Sequence, residues 1–282
     1  MRILAAIPHY FDPQSNAKHG SLRRDPLGRI RGLAAALSGL KQFAQPVFML
    51  HHDPDTHPVR LEHQAIVDII ICITGARHLL EQLPVPAGVY AHRATQCDPR
   101  LLGFECQLAL RERAGAYDYY CFLEDDIVIH DPSFFEKLAW FTKLAGGMAL
   151  LQPNRYEAEI GGRIQKLYID GDLPARATKP FQNMDDRPEI TGDTLGSSVS
   201  FRRTRNPHAG CYFLDSGQFT HWIQQPHFAE RRTDFIGPLE SAATVGIART
   251  FRVYKPAAPN LAFLEVQHNG AEIIAKVEQA MV

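Results

Sequence analysis

Apolar positions along the chain fall into two rhythms, short near-continuous runs and longer stretches at helical spacing. Residues 2–7 (Arg-Ile-Leu-Ala-Ala-Ile) form an apolar run closed by Pro8, which predicts a buried first strand. From Arg29 to Phe43 the apolar Ile30, Leu33, Ala34, Leu37 and Leu40 follow a helical period. Pro46–Leu50 and Ile66–Ile73 read as the next strands, the latter apolar almost throughout and so buried on both faces. Arg77–Leu83 reads as a short helix and Gly88–His92 as a strand. Pro99–Ala114 reads as a helix with Leu102, Cys106, Leu110 and Ala114 on one face, and Tyr117–Leu123 as a strand. Strands alternating with helices predict an α/β fold with a mainly parallel central sheet flanked by helices.

The second half is less regular. Pro132–Leu144 predicts a helix and Met148–Gln152 a strand. The segment from Arg155 to Arg205 shifts to Gly, Asp, Pro and Arg, with short β-prone pieces at Lys166–Ile169 and Ser198–Arg202. It reads as a less regular, substrate-facing region. Gly210–Leu214, Thr250–Tyr254 and Leu261–Val266 predict strands, Gln218–Ile223 and Gly237–Ile247 helices, and Ala271–Ala280 a short amphipathic tail helix. The polar segment from His9 to Gly28 reads as a long loop leaving a strand end, a candidate lid.

Charge narrows the function classes. Thirty Lys+Arg against thirty-one Asp+Glu give a net charge of -1, which leaves no global field for nucleic acid or an anionic membrane. No apolar run approaches the ~20 residues of a membrane span. Met1–Phe11 is too short for a signal-peptide core, so a cytoplasmic protein is expected. Lys276 and few large apolar residues argue against membrane insertion of the tail helix. The five cysteines are scattered without a CxxC pair, which suggests neither a disulfide framework nor a thiolate zinc site.

The candidate chemistry centres on Glu124-Asp125-Asp126, an acidic triplet set between the apolar runs Tyr119–Leu123 and Ile127–Ile129. Carboxylates crowded together in apolar surroundings need a cation or hydrogen-bond donors to offset lost hydration. Strand alternation places Glu124 and Asp126 on one side and Asp125 on the other. Ligands of open α/β sheets bind at the carboxyl ends of strands, and hard oxygen ligands suit Mg²⁺ or Mn²⁺. The same acids also suit a solvated turn. In His51-His52-Asp53-Pro54-Asp55-Thr56-His57 the histidines read as a metal site or a polar rim, with nucleotide contact the better use of Asp53. Arg29 and Arg31 suit phosphates or solvent, and Tyr10 suits stacking on a base or exposure at a strand end.

With Tyr119-Tyr120-Cys121-Phe122-Leu123 ahead of it, the triplet resembles the DxD-type motif of GT-A nucleotide-sugar glycosyltransferases. The order of elements over residues 1–270 is similar too. The resemblance implies a single GT-A (Rossmann-like) catalytic domain over 1–270, with a nucleotide-binding half at 1–130 and an acceptor and catalytic half at 131–270. Residues 271–282 form the tail. It implies that Asp126 and His268 hold the metal and that Tyr10, Arg29, Asp53, Glu124 and Asp125 contact the donor. Glu240 is then the base of an inverting transfer, with Asp234 in reserve. A retaining transfer would need neither. The expected cofactor is Mn²⁺ or Mg²⁺, and the expected partners are a nucleotide-sugar donor and a glycan or glycoconjugate acceptor. Departures from the family are the long first loop, the Glu that opens the motif, and Leu239-Glu240-Ser241 where Glu-Asp is common. A sugar nucleotidyltransferase, or a catalytically silent carbohydrate- or nucleotide-binding protein on the same fold, is the alternative. Leading with Ile7-Pro8-His9-Tyr10, the chain lacks the Gly-rich loop a nucleotidyltransferase would use.

Overall fold

The computed structural model describes residues 1–14, 25–45, 47–49, 59–61, 65–86 and 88–281. The chain runs through β1 (Arg2–Pro8), α1 (Pro26–Lys41), β2 (Val47–Met49), β3 (Val59–Leu61), β4 (Ile66–Thr74), β5 (Ala91–Thr95), α2 (Leu102–Arg111) and β6 (Tyr119–Leu123). It continues through β7 (Ile127–Val128), α3 (Phe134–Ala145), β8 (Ala149–Leu151), β9 (Asn154–Ala158), β10 (Lys166–Tyr168), α4 (Ala175–Thr178), β11 (Glu189–Thr194) and β12 (Ser197–Arg203). The last elements are β13 (Cys211–Asp215), α5 (Ser216–Ile223), α6 (Pro238–Thr250), β14 (Arg252–Pro256), β15 (Glu265–His268) and α7 (Glu272–Ala280).

The central sheet has the order β13-β6-β1-β4-β5, with the last four strands parallel and β13 antiparallel to β6. Its strands obey a period of two, so alternate residues feed two separate cores. Ile3, Ala5, Ile7, Ile69, Ile71, Cys121, Leu123 and Phe213 face one side, where Leu33 and Leu37 of α1 and Phe134 and Phe141 of α3 cover them. Leu4, Ala6, Ile70, Tyr120, Phe122 and Tyr212 face the other, against Cys106 and Leu110 of α2, Trp222 of α5 and Ile247 of α6. A sheet buried on both faces explains why its strands are apolar runs.

Two further four-stranded sheets, β10-β9-β15-β7 and β11-β12-β14-β8, mix parallel and antiparallel pairs, and β2 pairs with β3. The fold is therefore α/β with mixed sheets, and a run of four parallel strands occurs only in the central one among the described residues. The segment expected to be irregular, from Arg155 to Arg205, holds β9 through β12. These strands are short and largely half-exposed: along β11 only Ile190 is buried, so little apolar signal marks them.

Several boundaries move for local reasons. Helix α1 starts at Pro26, inside the expected His9–Gly28 loop. Asp25 caps it by accepting from the Leu27 and Gly28 amides, and Pro26 supplies a preset first turn. Arg77–Leu83 contains only a 3₁₀ turn at Leu80–Gln82, and Ala258–Phe263 is likewise 3₁₀, which delays the last strand to Glu265. The strand expected at Gly88–His92 lies at Ala91–Thr95. All five cysteines are free thiols, with Cys72, Cys106, Cys121 and Cys211 buried. Among the described residues no helix is long and apolar enough to cross a membrane.

Candidate functional site

The acidic triplet sits between β6 and β7, at the carboxyl end of the central sheet. The Ile127 amide donates to the Glu124 carbonyl at 3.1 Å, so the acids occupy a tight turn rather than an extended strand. The Glu124 amide donates to the Gly210 carbonyl at 2.8 Å, and the Asn269 amide donates to the Asp126 carbonyl at 2.7 Å. Backbone bonds from two other segments thus fan the acids in three directions.

Asp125 turns toward β1 and α1. It is buried, and His9 Nδ1 lies 2.6 Å from Oδ2, while Arg29 Nη2 reaches Oδ1 at 2.6 Å and Oδ2 at 2.5 Å. His9 Nε2 accepts from the Leu79 amide at 3.1 Å, which assigns the proton to Nδ1 and makes it a donor to Asp125. Both carboxylate oxygens are therefore satisfied by the protein itself. Burial opposes the Arg29 charge, but Asp125 and Asp126 outweigh it and hold the guanidinium protonated.

Asp126 turns toward β15. Its Oδ2 lies 3.4 Å from His268 Nε2 and 3.5 Å from Arg29 Nη1. His268 Nδ1 is 3.0 Å from Glu157 Oε1 on β9, and Glu157 is fully buried. Burial disfavours a charged ring, yet Asp126 and Glu157 push the His268 pKa up to about 10, so both ring nitrogens donate at neutral pH. Burial works to raise the Asp126 pKa, but His268 and Arg29 outweigh it and hold the carboxyl well below the usual range.

Glu124 turns toward a buried charged cluster. Arg155 Nη1 lies 3.6 Å from its Oε2 and His208 Nε2 lies 4.0 Å from its Oε1. Asp170 organises the cluster, taking Arg155 Nη2 at 2.8 Å and Lys255 Nζ at 3.2 Å, while Lys255 also donates to the His208 carbonyl at 2.5 Å. Burial would raise Asp170, but Lys255 and Arg155 hold its pKa at about 2. Burial and the Arg155 charge push His208 well below the usual range, leaving the ring neutral. Burial raises Glu124 to about 8, against Arg155 and with help from Asp126 and Glu240. Gly210 shapes this side: its φ is +65°, and a Cβ there would lie 3.0 Å from Glu124 Oε2.

Glu240 occupies the first turn of α6, close enough for its charge to act on Glu124, and its carboxylate folds back on Gly237. A Cβ at position 237 would meet Glu240 Oε2 at 2.5 Å. Asp234 is exposed and paired with Arg232 at 2.9 Å. Tyr10 sits at the rim, where its hydroxyl accepts from Arg77 Nη1 at 3.0 Å and donates to Asp12. Arg31 is exposed on α1. Asp53, Asp55 and the neighbouring histidines lie outside the described residues.

No protein-family model and no curated protein matches this chain. Among solved structures, it aligns with S. aureus TarS 1-349 at 9% identity and a TM-score of 0.45, over 98% of this chain and 63% of that one. The same fragment in complex with UDP aligns at 10% identity and a TM-score of 0.46, over 90% and 57%. A CMP:2-keto-3-deoxy-manno-octonic acid synthetase complexed with CTP aligns at 13% identity and a TM-score of 0.42, over 100% and 98%. The chain thus spans less than two thirds of the TarS chains it matches. What it does is read from its own side chains.

Among the described residues no group of three or more His, Cys, Asp or Glu is arranged around one cation position. Yet Asp126 Oδ1 and Glu124 Oε1 are buried without a hydrogen-bond partner. Such orphaned acceptors are rare and ask for a ligand. Hard carboxylate oxygens suit Mg²⁺ or Mn²⁺, which characteristically take few protein ligands and complete their shell with water and phosphate oxygens. Asp126 therefore fits a cation. His268 would join only on giving up its Nε2 proton, since a ligating imidazole is neutral.

The sequence reading did not single out Arg155, Glu157, Asp170, His208 and Lys255 as site residues. They come from segments up to 100 positions apart, Arg155 and Glu157 on β9, Asp170 after β10, His208 before β13 and Lys255 on β14. The one local signal was Lys255, a charge that follows the apolar Val253-Tyr254 within a strand-like run.

Proposed function

We propose that the protein transfers a sugar from a nucleotide-sugar donor to a hydroxyl of a glycan or glycoconjugate acceptor, with a divalent cation at Asp126. The observation that carries this reading is the pair of unpartnered buried oxygens, Asp126 Oδ1 and Glu124 Oε1, ringed by Arg29, Arg155 and His268. A site with acceptors for a cation and fixed positive groups around them matches a diphosphate bridged to a metal.

When bound, the cation neutralises charge on the departing diphosphate. Asp126 would hold it, with Glu124 as the neighbouring acid. Arg29, locked by Asp125, presents a preset positive charge, which costs no reorganisation when negative charge develops. Arg155 is fixed in the same way by Asp170. Glu240, in the first turn of α6, accepts the acceptor-hydroxyl proton while the oxygen bonds to the anomeric carbon. The bond from that carbon to the diphosphate breaks, and the diphosphate leaves with the electron pair. A base on the side opposite the leaving group makes the transfer inverting. Tyr10, after β1, is a donor-binding contact, and Asp53, outside the described residues, is a second.

Product analysis with UDP-, GDP-, CMP- and dTDP-sugars, with and without Mn²⁺, tests the reading. Mn²⁺-dependent release of one nucleotide by the wild type, abolished in Asp126→Asn, is the expected result. Binding without turnover would mark a silent binding protein. Pyrophosphate release from a nucleoside triphosphate and a free sugar would mark a nucleotidyltransferase. Either outcome overturns glycosyl transfer.

A further inference from the structure

Glu157 does two things at once. Its Oε1 meets His268 Nδ1 at 3.0 Å, and its Oε2 accepts from the amides of Ile273 at 2.8 Å and Ile274 at 2.9 Å, in the first turn of α7. The first amides of a helix have no partner within it, so a carboxylate there meets both their hydrogen-bonding need and the helix dipole. One fully buried side chain therefore joins the tail helix to the ring that touches Asp126.

Little apolar surface of α7 is buried. Of its residues only Ile274 is buried, and its far end is tied by Glu278 Oε1, which accepts from the Ile164 amide at 2.7 Å. A helix with one buried anchor opens locally at low cost. If α7 leaves, Glu157 loses two donors while buried, and the loss of a partner to a buried carboxylate is costly. The group still within reach is His268.

We propose that Glu157 is a positioning residue through which docking of α7 sets the placement of His268 at Asp126, so that the tail helix controls the candidate site. The proposal rests on the reading of Asp126 as the ligand-facing acid. Coupling of this kind is reciprocal: what binds at Asp126 and His268 stabilises docked α7 by the same factor by which docking favours binding.

The test uses the full chain without any nucleotide. Imidazole ¹⁵N signals of His268, assigned by their loss in His268→Asn, report the ring, and hydrogen exchange at Ile273 and Ile274 reports α7. In Glu157→Gln the side-chain carbonyl still accepts from the α7 amides, while its NH₂ faces a donor on the ring. The ring signals are expected to move with the α7 amides still protected. In Ile274→Asp, faster exchange at Ile273 is expected together with moved His268 signals. The His227 ring, 2.9 Å from Thr250 Oγ1, is the control and stays in place.

Mn²⁺ alone, titrated by electron paramagnetic resonance, adds a second readout. Both variants are expected to bind it roughly tenfold or more weakly than the wild type, the usual scale for partners of a metal-site histidine. Unmoved His268 signals in Glu157→Gln, or in Ile274→Asp with α7 demonstrably undocked, overturn the proposal. If the wild type binds no Mn²⁺, the cation reading of the site fails, and the ring signals alone still decide the coupling.

Discussion

The two flanks of the acidic turn are built from the same kinds of side chain and end in different states. On the flank of β1 and α1, His9 and Arg29 satisfy both oxygens of Asp125. On the flank of β9, β14 and β15, arginine, histidine and lysine also surround the acids, but Glu124 and Asp126 each keep a buried oxygen unpartnered. The difference lies in spacing. Donors at 2.5–2.6 Å reach both oxygens of Asp125, whereas Arg155 at 3.6 Å and His268 at 3.4 Å approach only Glu124 Oε2 and Asp126 Oδ2, and the other oxygen of each acid stays unpartnered. Neighbouring carboxylates of one motif thus divide into one closed by protein donors and two that each keep a free oxygen.

The largest effect is expected where the closed flank is opened. Asp125→Ala leaves Arg29 buried without its partner and should cost roughly 3–5 kcal/mol, the scale for breaking a buried pair, read by urea unfolding. A stability near wild type would erase the distinction between the flanks. Asp126→Asn should lower turnover roughly 10²–10³-fold, as loss of one fixed electrostatic group does.

On the open flank, Gly210→Ala places a Cβ at φ +65° and 3.0 Å from Glu124 Oε2, and should cost roughly 1–3 kcal/mol in the same unfolding assay. Asp170 gives that flank an acid limit. Its folded pKa of about 2 lies below the ordinary 3.8, so it stabilises the fold above pH 3.8 and loses that contribution as pH falls toward 2. The amount is about 2 kcal/mol. Wild type should therefore lose its advantage over Asp170→Asn across that window, and a pH-independent difference would exclude this linkage. The smallest effect is remote from both flanks. Leu195 is fully exposed with φ 50°, next to Gly196 at φ +73°, in the two-residue loop joining β11 and β12. Leu195→Asn suits this turn and should raise stability by about 1 kcal/mol without altering the response to ligand.

The same division explains what could be read from the sequence. The core strands β1, β4 and β6 are nearly continuous apolar runs because both sheet faces are covered, and the acid triplet stood out because it breaks the apolar sequence directly after one of them. Asp126 and His268, 142 positions apart, were paired beforehand only through the family resemblance, and they lie 3.4 Å apart. The role of Asp125 was not legible, since strand alternation cannot foresee a turn that hands it to His9 and Arg29. The region from Arg155 to Arg205 was legible in part: the β-prone pieces at Lys166–Ile169 and Ser198–Arg202 are β10 and β12, whereas β9 and β11 were not foreseen, β11 having only Ile190 buried. Glu157 was invisible for a different reason: its partners, His268 and the α7 amides, are more than a hundred residues downstream. Side chains satisfied by distant backbone leave no local pattern.

The central claim is that Asp126 faces a metal-bound nucleotide while Asp125 holds the site together. Calorimetric titration of UDP, GDP, CMP and dTDP with Mn²⁺ into wild type and Asp126→Asn tests it most directly. One nucleotide binding the wild type only with Mn²⁺, and not binding Asp126→Asn, is the predicted result. Equal affinity for the two proteins, or no binding by the wild type to any of these nucleotides, would contradict it.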